Sequence, residues 1–154
     1  GPTSERLRSY HGWVRIRVVA VGKLKEAHYR EAVDEYLGRL RHYATVEEVE
    51  VKEGLAAMRK AIPARAHVIA MTIDGKQRSS EELAARLEEL AGRVPEVVFL
   101  IGGADGIPAE VVKASQETLS IGKMTLPHRL ARLVLVEQIY RAMTIRKGEP
   151  YHHG

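Results

Sequence analysis

The residue types that could do chemistry are concentrated in residues 118–154. His128 follows Pro127, and Tyr151, His152 and His153 follow a Gly-x-Pro break near the C-terminal end. A single histidine after a proline is more often a capping or packing residue than a catalyst. Two adjacent histidines are poorly placed to bind one metal ion, and they have no carboxylate partner at ligand spacing. We therefore expect no metal site.

The segment between these two groups is predicted to form a helix that is buried on more than one face. Apolar residues from Leu130 to Met143 occur on almost every side of it. Pro127 suits the first helical position, where a proline loses no needed N–H. Glu137 and Arg141 lie four residues apart, in the favourable order for an ion pair. Polar side chains kept on a buried helix indicate an interface or a functional site.

Strand and helix patterns alternate upstream of this helix. Alternating or fully apolar runs predict strands at residues 14–22, 46–51, 67–73, 97–103 and about 119–121. Three- and four-residue spacings predict helices at residues 26–43, 55–62 and 108 to about 116. A capping box at Ser79 and Glu82 predicts the start of another helix. The order of elements predicts an α/β fold with a mainly parallel sheet, in which the run at 67–73 is central.

The composition fits one globular domain. The chain has 154 residues, 45% of them hydrophobic, and we assign residues 14–154 to a single domain. Residues 1–13 are polar and precede the first periodic segment, so we interpret them as an appended or disordered extension. The net charge of +4 favours a polyanionic partner without requiring one. No apolar run approaches the length of a membrane span and no signal peptide is evident, so we expect a cytoplasmic protein that binds no membrane.

Cysteine chemistry and the common nucleotide-binding fingerprints are absent from the sequence. The chain has no cysteine, which excludes disulfides, thiolate zinc sites and a cysteine nucleophile. Ligands of open parallel sheets bind beyond the carboxyl ends of strands, which makes residues 71–75, 101–106 and 120–126 candidates. Gly102 and Gly103 allow close approach of backbone to a ligand, and a tight strand-to-helix turn explains them equally well. Neither a P-loop nor a dinucleotide fingerprint occurs.

Four stretches carry a resemblance to a known family. They read VAVGKLKE near the start, IDGK at 73–76, FLIGGADG at 99–106, and LSIGKMTLPHRLARLVLVEQIYRAMTIRKGEPYHH at 119–153. The chain resembles the small SPOUT-class methyltransferases that methylate N3 of a pseudouridine in large-subunit (23S) ribosomal RNA. The likeness runs from about Val14 to the C-terminal end and is most specific in the last stretch. The leader to Trp13 has no counterpart there, and the connection at 51–55 is shorter than usual, which would alter RNA contacts.

The resemblance implies a fold, a cofactor and an assembly. The expected fold is a sheet with helices on both faces whose C-terminal segment forms a deep trefoil knot, in a homodimer packed through the terminal helix. The expected cofactor is S-adenosylmethionine, cradled by backbone groups of three loops. The positions that match its binding set are Met71, Gly102, Gly103, Ile121, Gly122, Lys123, Met124, Thr125 and Leu126. Met71 stands where the family usually has Leu, and Gly122 where Ser is frequent.

The resemblance also implies roles for the C-terminal side chains. Arg141 would stabilise the deprotonated base or a phosphate, and Tyr151 would stack or form a hydrogen bond. His152 would accept a proton, and His128 would lie near the cofactor. The expected partner is large-subunit ribosomal RNA in the assembled ribosome. Two alternatives stay open: a related methyltransferase acting on another RNA nucleotide, and a non-catalytic domain that binds RNA or a nucleotide.

Overall fold

The computed structural model of the protein describes residues 13–153, in which strands and helices alternate. The strands are β1 (Val14–Val21), β2 (Ala44–Val51), β3 (His67–Met71), β4 (Val97–Ile101) and β5 (Glu117–Leu119). The helices are α1 (Ala27–Leu40), α2 (Leu55–Ala61), α3 (Ser80–Leu90), α4 (Ala109–Ala114) and α5 (His128–Arg146), with a 3₁₀ helix at Pro150–His153. The predicted α/β alternation is confirmed. Most of the predicted extension, residues 1–12, lies outside the described residues, whereas Trp13 donates a hydrogen bond to Thr45 Oγ1 at 2.9 Å.

The five strands of residues 13–153 form one sheet in the order β2-β1-β4-β3-β5, and every neighbouring pair is parallel. The predicted parallel sheet is thus confirmed, with β4 in the middle and β3 as an inner strand. The carboxyl ends of β4, β3 and β5 lie next to one another at one end of the sheet. The three candidate ligand loops therefore leave the sheet side by side.

Helices cover both faces of the sheet, as expected. Along β4, Val97, Phe99 and Ile101 face a core that contains residues of α1, α3 and α5. Val98 and Leu100 face the opposite core, which contains Met58 of α2 and Val111 of α4. Helix α5 packs against both α1 and α3. The deep trefoil knot expected of the C-terminal segment stays a prediction.

The inner strands β3 and β4 end earlier than their apolar runs predict. β3 stops at Met71, which is the last of its residues paired with β5, and Ile73 beyond it is exposed. β4 stops at Ile101, and Gly102 directly precedes the turn that Gly103 and Gly106 close. The residues that were predicted to end these strands instead form the loops at the carboxyl end of the sheet.

Helix α5 begins one residue later than predicted. Pro127 precedes the helix with an extended backbone, φ −55° and ψ 144°, and its carbonyl accepts the hydrogen bond from Ala131 N at 2.9 Å. The placement of Pro127 at the first helical position is therefore wrong, and His128 occupies that position. The capping box at Ser79 and Glu82 is confirmed at the start of α3.

Candidate active site

A pocket of about 550 Å³ opens at the carboxyl ends of β3, β4 and β5. This volume lies in the usual range for small-molecule sites. Eight of the nine predicted cofactor-binding residues line it: Met71, Gly102, Gly103, Ile121, Gly122, Met124, Thr125 and Leu126. Lys123 is exposed and is not part of the lining. The structure thus brings three loops that are distant in sequence together around one cavity.

Gly102 permits a tight turn in the wall of the pocket. A Cβ atom at Gly102 would lie 2.4 Å from the carbonyl carbon of Gly106 and 2.7 Å from the nitrogen of Ile107. The turn is closed by a hydrogen bond from Gly106 N to Gly103 O at 3.0 Å. The backbone at Gly102 does not enter the left-handed region, whereas Gly106 has φ +75°. Gly102 is therefore required by close approach of its own loop, and that tight turn also forms part of the pocket.

Two polar residues of the lining lie within the candidate ligand segments 71–75 and 120–126 but were not among the predicted cofactor-binding residues. Thr72 and Ser120 come directly after β3 and β5 and face the same pocket. Within the described residues, Thr72 Oγ1 is buried and has no hydrogen-bond partner. An unpaired buried hydroxyl costs roughly 1–3 kcal/mol, so such an atom marks a place where a ligand group could add stability. Small polar residues at the carboxyl ends of strands are the signal that points to them.

Arg141, Tyr151 and His152 form a second group, which we call the C-terminal cluster. The guanidinium of Arg141 lies 4.8 Å from the ring centre of Tyr151, and its Nη1 lies 3.1 Å from Nδ1 of His152. Glu137 binds both partners, with Oε2 at 3.2 Å from Arg141 Nε and 2.9 Å from the Tyr151 hydroxyl. The predicted pair of Glu137 and Arg141 is confirmed. No residue of the C-terminal cluster lines the pocket.

The hydrogen bonds of His152 determine which of its ring nitrogens carries the proton. Arginine can only donate, so Nδ1 of His152 accepts from Arg141. Nε2 lies 2.6 Å from Oε1 of Glu81, which accepts, so Nε2 carries the hydrogen. This hydrogen bond lowers the pKa of the Glu81 carboxyl. In this arrangement both ring nitrogens of His152 are occupied, and Nδ1 becomes available to another group only when Arg141 leaves it.

Tyr151 is held as a neutral phenol. Its ring packs edge-on against Tyr140 with 4.7 Å between ring centres, so the C-terminal tail is part of the packed fold. Burial of the ring, with the hydrogen bonds to Tyr36 and Glu137, raises the pKa of the Tyr151 hydroxyl well above its usual value. Tyr151 therefore suits stacking and hydrogen bonding, and it does not suit proton abstraction at neutral pH.

The structure separates His128 from the C-terminal cluster. His128 lines the pocket at the first turn of α5, whereas Arg141 is near the other end of the same helix. At 1.5 Å per residue the two positions are roughly 20 Å apart along the helix axis. His128 and Arg141 of one chain therefore cannot both touch one small group. The predicted catalytic residues fall into two separate places on the monomer.

The carboxyl end of the sheet, where the pocket lies, carries exposed lysines. Lys23, Lys25, Lys52, Lys76 and Lys123 follow β1, β2, β3 and β5, and all are exposed. Within residues 13–153, the ion pairs use arginine or histidine as the cation, and none of these lysines has an ion-pair partner. The same end of the sheet also has exposed carboxylates, at Glu53, Asp74 and Asp105. The lysines remain available to an external anion.

Residues 13–153 contain neither a metal-binding group of side chains nor a membrane-spanning helix. No group of three or more His, Cys, Asp or Glu side chains in residues 13–153 is arranged to hold a metal ion. None of the helices in that part of the chain combines the length and the apolar character that a membrane crossing requires.

The fold and the site define a class of protein. The chain belongs to the predicted SPOUT methyltransferase family, whose model matches residues 14–152. The predicted family resemblance is confirmed, and the chain is an enzyme of the methyltransferase class. The alternative of a non-catalytic binding domain is therefore set aside.

Bacterial proteins that share one name are similar to this chain over nearly its whole length. One from Sorangium cellulosum (strain So ce56), named ribosomal RNA large subunit methyltransferase H, is 49% identical over 145 residues, covering 91% of this chain and 100% of the relative. A protein of the same name from Bacillus cereus (strain ATCC 10987 / NRS 248) is 46% identical over 160 residues, covering 90% and 99%.

Solved structures share the fold at low sequence identity. A probable methylase family protein from Haemophilus influenzae Rd KW20 superposes with a TM-score of 0.60 at 11% identity, covering 90% of this chain and 70% of that one. TrmJ from Z. mobilis ZM4 gives a TM-score of 0.55 at 14% identity, covering 85% and 70%. At these identities the likeness supports the fold alone.

Proposed function

We propose that this chain transfers a methyl group from S-adenosylmethionine to N3 of a pseudouridine in large-subunit ribosomal RNA. We further propose that it acts in the cytoplasm, on the assembled ribosome, as a knotted homodimer. The observation that carries the proposal is the pocket that three strand-end loops form in a chain of the SPOUT methyltransferase family. The names of the two relatives support ribosomal RNA as the substrate.

The pocket residues fit S-adenosylmethionine. Bound there, this cofactor supplies an electrophilic methyl group on a sulfonium. Met71, Ile101, Leu119 and Leu126 provide apolar walls, and the glycine-rich turn at Gly102 exposes backbone groups. The buried, unpaired hydroxyl of Thr72 in the same wall is a further polar group within the site. A mostly apolar cavity with a few placed polar groups is the usual form of a cofactor site.

The lysines at the edge of the sheet support an RNA substrate. Lys76 and Lys123 lie in the loops after β3 and β5 that border the pocket, and Lys23, Lys25 and Lys52 follow β1 and β2 at the same end of the sheet. Lysine ammonium groups bind phosphates as point charges and release condensed counterions from the RNA. Phosphate contacts of this kind position a nucleic acid, while the groups at the pocket act on the base.

The separation of His128 from Arg141 supports a dimer in which each active site uses two chains. The pocket and His128 of one chain would receive the C-terminal cluster of the second copy. Around the mouth of the pocket, Met124 is 86% exposed and Ile73 is 65% exposed, which is unusual for large apolar residues. A second copy would cover these side chains. In that arrangement Arg141 stabilises negative charge on the base, and Tyr151 stacks or donates a hydrogen bond.

Transfer of labelled methyl groups tests the proposed reaction. Purified protein is incubated with S-adenosylmethionine carrying a tritiated methyl group and with assembled ribosomes, isolated large subunits or free large-subunit RNA. We expect label in large-subunit RNA, with the assembled ribosome as the best substrate. Label that appears only in free RNA would contradict the ribosome as substrate. Label in a nucleoside other than pseudouridine would favour a related enzyme with another target.

A further inference from the structure

The hydroxyl of Ser120 joins two of the loops that form the pocket. Ser120 follows β5 directly and is 5% exposed. Its Oγ atom lies 2.9 Å from the carbonyl oxygen of Ile73, in the loop after β3. It also lies 2.9 Å from the carbonyl oxygen of Gly122 and accepts a hydrogen bond from Gly122 N at 3.2 Å, in the loop after β5. One buried side chain thus reaches backbone atoms of both loops.

The number of protons and lone pairs on the hydroxyl limits how it connects the loops. A serine hydroxyl has one proton to donate and two lone pairs. Ser120 therefore donates to the carbonyl of Ile73 or of Gly122 at any moment, and it accepts from Gly122 N in either case. In both arrangements, the hydrogen bond from Gly122 N to Ser120 Oγ keeps the residues after Ser120 folded back towards its side chain. The loop after β5 consequently has a fixed start at the wall of the pocket.

Backbone hydrogen bonds flank this hydroxyl without replacing it. Thr72 N donates to Leu119 O, and Ser120 N donates to Lys76 O, each at 2.9 Å. These bonds align the two loops up to Ser120, and its side chain extends the connection to Gly122. The exposed Ile73 beside it and the exposed Met124 beyond it add little packing to hold the loops. Segments with few buried contacts open at low cost, so the hydroxyl has a large share in fixing them.

We propose that Ser120 is a positioning residue whose hydroxyl holds the loops after β3 and β5 in the arrangement that binds the methyl donor. A pocket that is already ordered binds more tightly, because the ligand does not have to order the loops. This inference rests on the proposed function, since it requires that the pocket binds S-adenosylmethionine. Ser120 itself acts through the backbone of Ile73 and Gly122.

Donor affinity in matched serine variants tests this role. The dissociation constants of S-adenosylmethionine and S-adenosylhomocysteine are measured by calorimetry for the wild type, S120A and S115A. Ser115 makes a comparable bond, from Oγ to Val111 O at 2.8 Å, at the end of α4 and outside the pocket lining. We expect S120A to weaken both ligands roughly tenfold, the size of effect that loss of one or two hydrogen bonds produces. S115A should bind as the wild type does.

Amide hydrogen exchange separates a local from a general effect. In S120A the amide of Gly122 should exchange faster than in the wild type, while that of Phe99 in the middle strand stays protected. Wild-type affinity in folded S120A would overturn the role of Ser120. Weaker binding accompanied by equal loss of protection at Phe99 would overturn it too, since the effect would then be a general loss of stability.

A second variant covers the case in which S120A does not fold. S120C keeps nearly the same shape with a weaker donor, so its affinity should fall between those of the wild type and S120A. Wild-type affinity in S120C would then count against the role. A wild-type protein that binds no donor would refute the proposed function together with this inference. Equal binding by the wild type and the variants would refute the inference alone.

Discussion

At the scale of single residues, Gly102 is the pocket position with the least freedom to change. Its missing Cβ would lie 2.4 Å from the backbone of Gly106, closer than real contacts allow. The steric reason is the return of its own loop, because φ at Gly102 is outside the left-handed region. By contrast, a Cβ at Gly122 would meet no atom within 4 Å. Position 102 therefore has no room for a side chain, whereas position 122 has room for one.

The first prediction compares substitutions at these two glycines. Gly102→Val should distort the turn and raise the dissociation constant of S-adenosylmethionine by about 5- to 140-fold, since overpacking of this kind costs about 1–3 kcal/mol. Gly122→Ser should bind the donor as the wild type does. Calorimetry on variants whose circular dichroism matches the wild type provides the measurement. Unchanged affinity in folded G102V would place the donor outside this pocket.

At the scale of elements, the short edge strand β5 depends on a charged cluster around Glu117. The carboxylate binds Nε2 of His67 on β3 at 2.5 Å, Nε of Arg86 on α3 at 2.9 Å and Nη2 of Arg78 at 3.3 Å. Burial alone would raise the pKa of the Glu117 carboxyl, but the hydrogen bonds and charges of His67 and Arg86 outweigh it and lower the pKa. The cluster ties β5, which leads into the pocket loop, to two neighbouring elements.

The second prediction follows from the sign of that pKa shift. A carboxyl whose folded pKa is lowered stabilises the fold above its unfolded pKa, about 4.3, and loses that contribution as the pH falls through the lower folded value. Glu117→Gln should therefore cost about 1–3 kcal/mol at pH 7 and progressively less below about pH 4. Urea unfolding between pH 7 and pH 3 measures the difference.

A control variant separates this cluster from ordinary surface ion pairs. Glu35 pairs with Arg39 on an exposed face of α1 at 2.8 Å. Such a pair contributes about 0.3–0.5 kcal/mol, so Glu35→Gln should have a small effect at every pH. A cost for E117Q that is the same at pH 3 and pH 7 would show that the ionised carboxylate is not the source of the stability.

Local patterns in the sequence were sufficient to predict most elements and much of the pocket. The alternation of apolar runs predicted the strands, and matching loop positions identified Met71, Gly102 and their neighbours. Ser120 and Thr72 lay within the candidate segments, but the role of Ser120 was not predicted, because it depends on Ile73, which is 47 positions away in the chain. No local pattern records such a contact. The packing of Tyr151 on Tyr140 escaped for the same reason, since the tail shows no helical periodicity.

At the scale of the whole molecule, the predicted catalytic residues lie in two separate places on one chain. The pocket with His128 lies at one end of α5, and the C-terminal cluster lies towards the other end. A symmetric dimer could bring the pocket of each chain against the C-terminal cluster of the other, because the same surfaces meet twice across a two-fold axis. The outward apolar side chains Met124 and Ile73 would then be covered at the same interface.

The third prediction tests this composite arrangement by complementation. At a donor concentration near the wild-type dissociation constant, Gly102→Val should leave the pocket largely empty and Arg141→Gln should disable the C-terminal cluster, so each variant alone should be nearly inactive. Random assembly of the two gives half mixed dimers, and each mixed dimer regains one of its two sites. Activity should therefore recover to about a quarter of the wild-type value. If co-assembled variants stay inactive, the pocket and the cluster of one subunit serve the same site.

The most direct measurement of the proposed reaction is the mass of the modified nucleoside. Ribosomes that lack the methyl group are incubated with the protein and S-adenosylmethionine, and the large-subunit RNA is digested to nucleosides for tandem mass spectrometry. The account predicts a pseudouridine that carries one added methyl on N3 with wild-type protein, and much less of it with G102V at the same low donor concentration. An unmodified pseudouridine, or a methyl on another nucleoside, would contradict it.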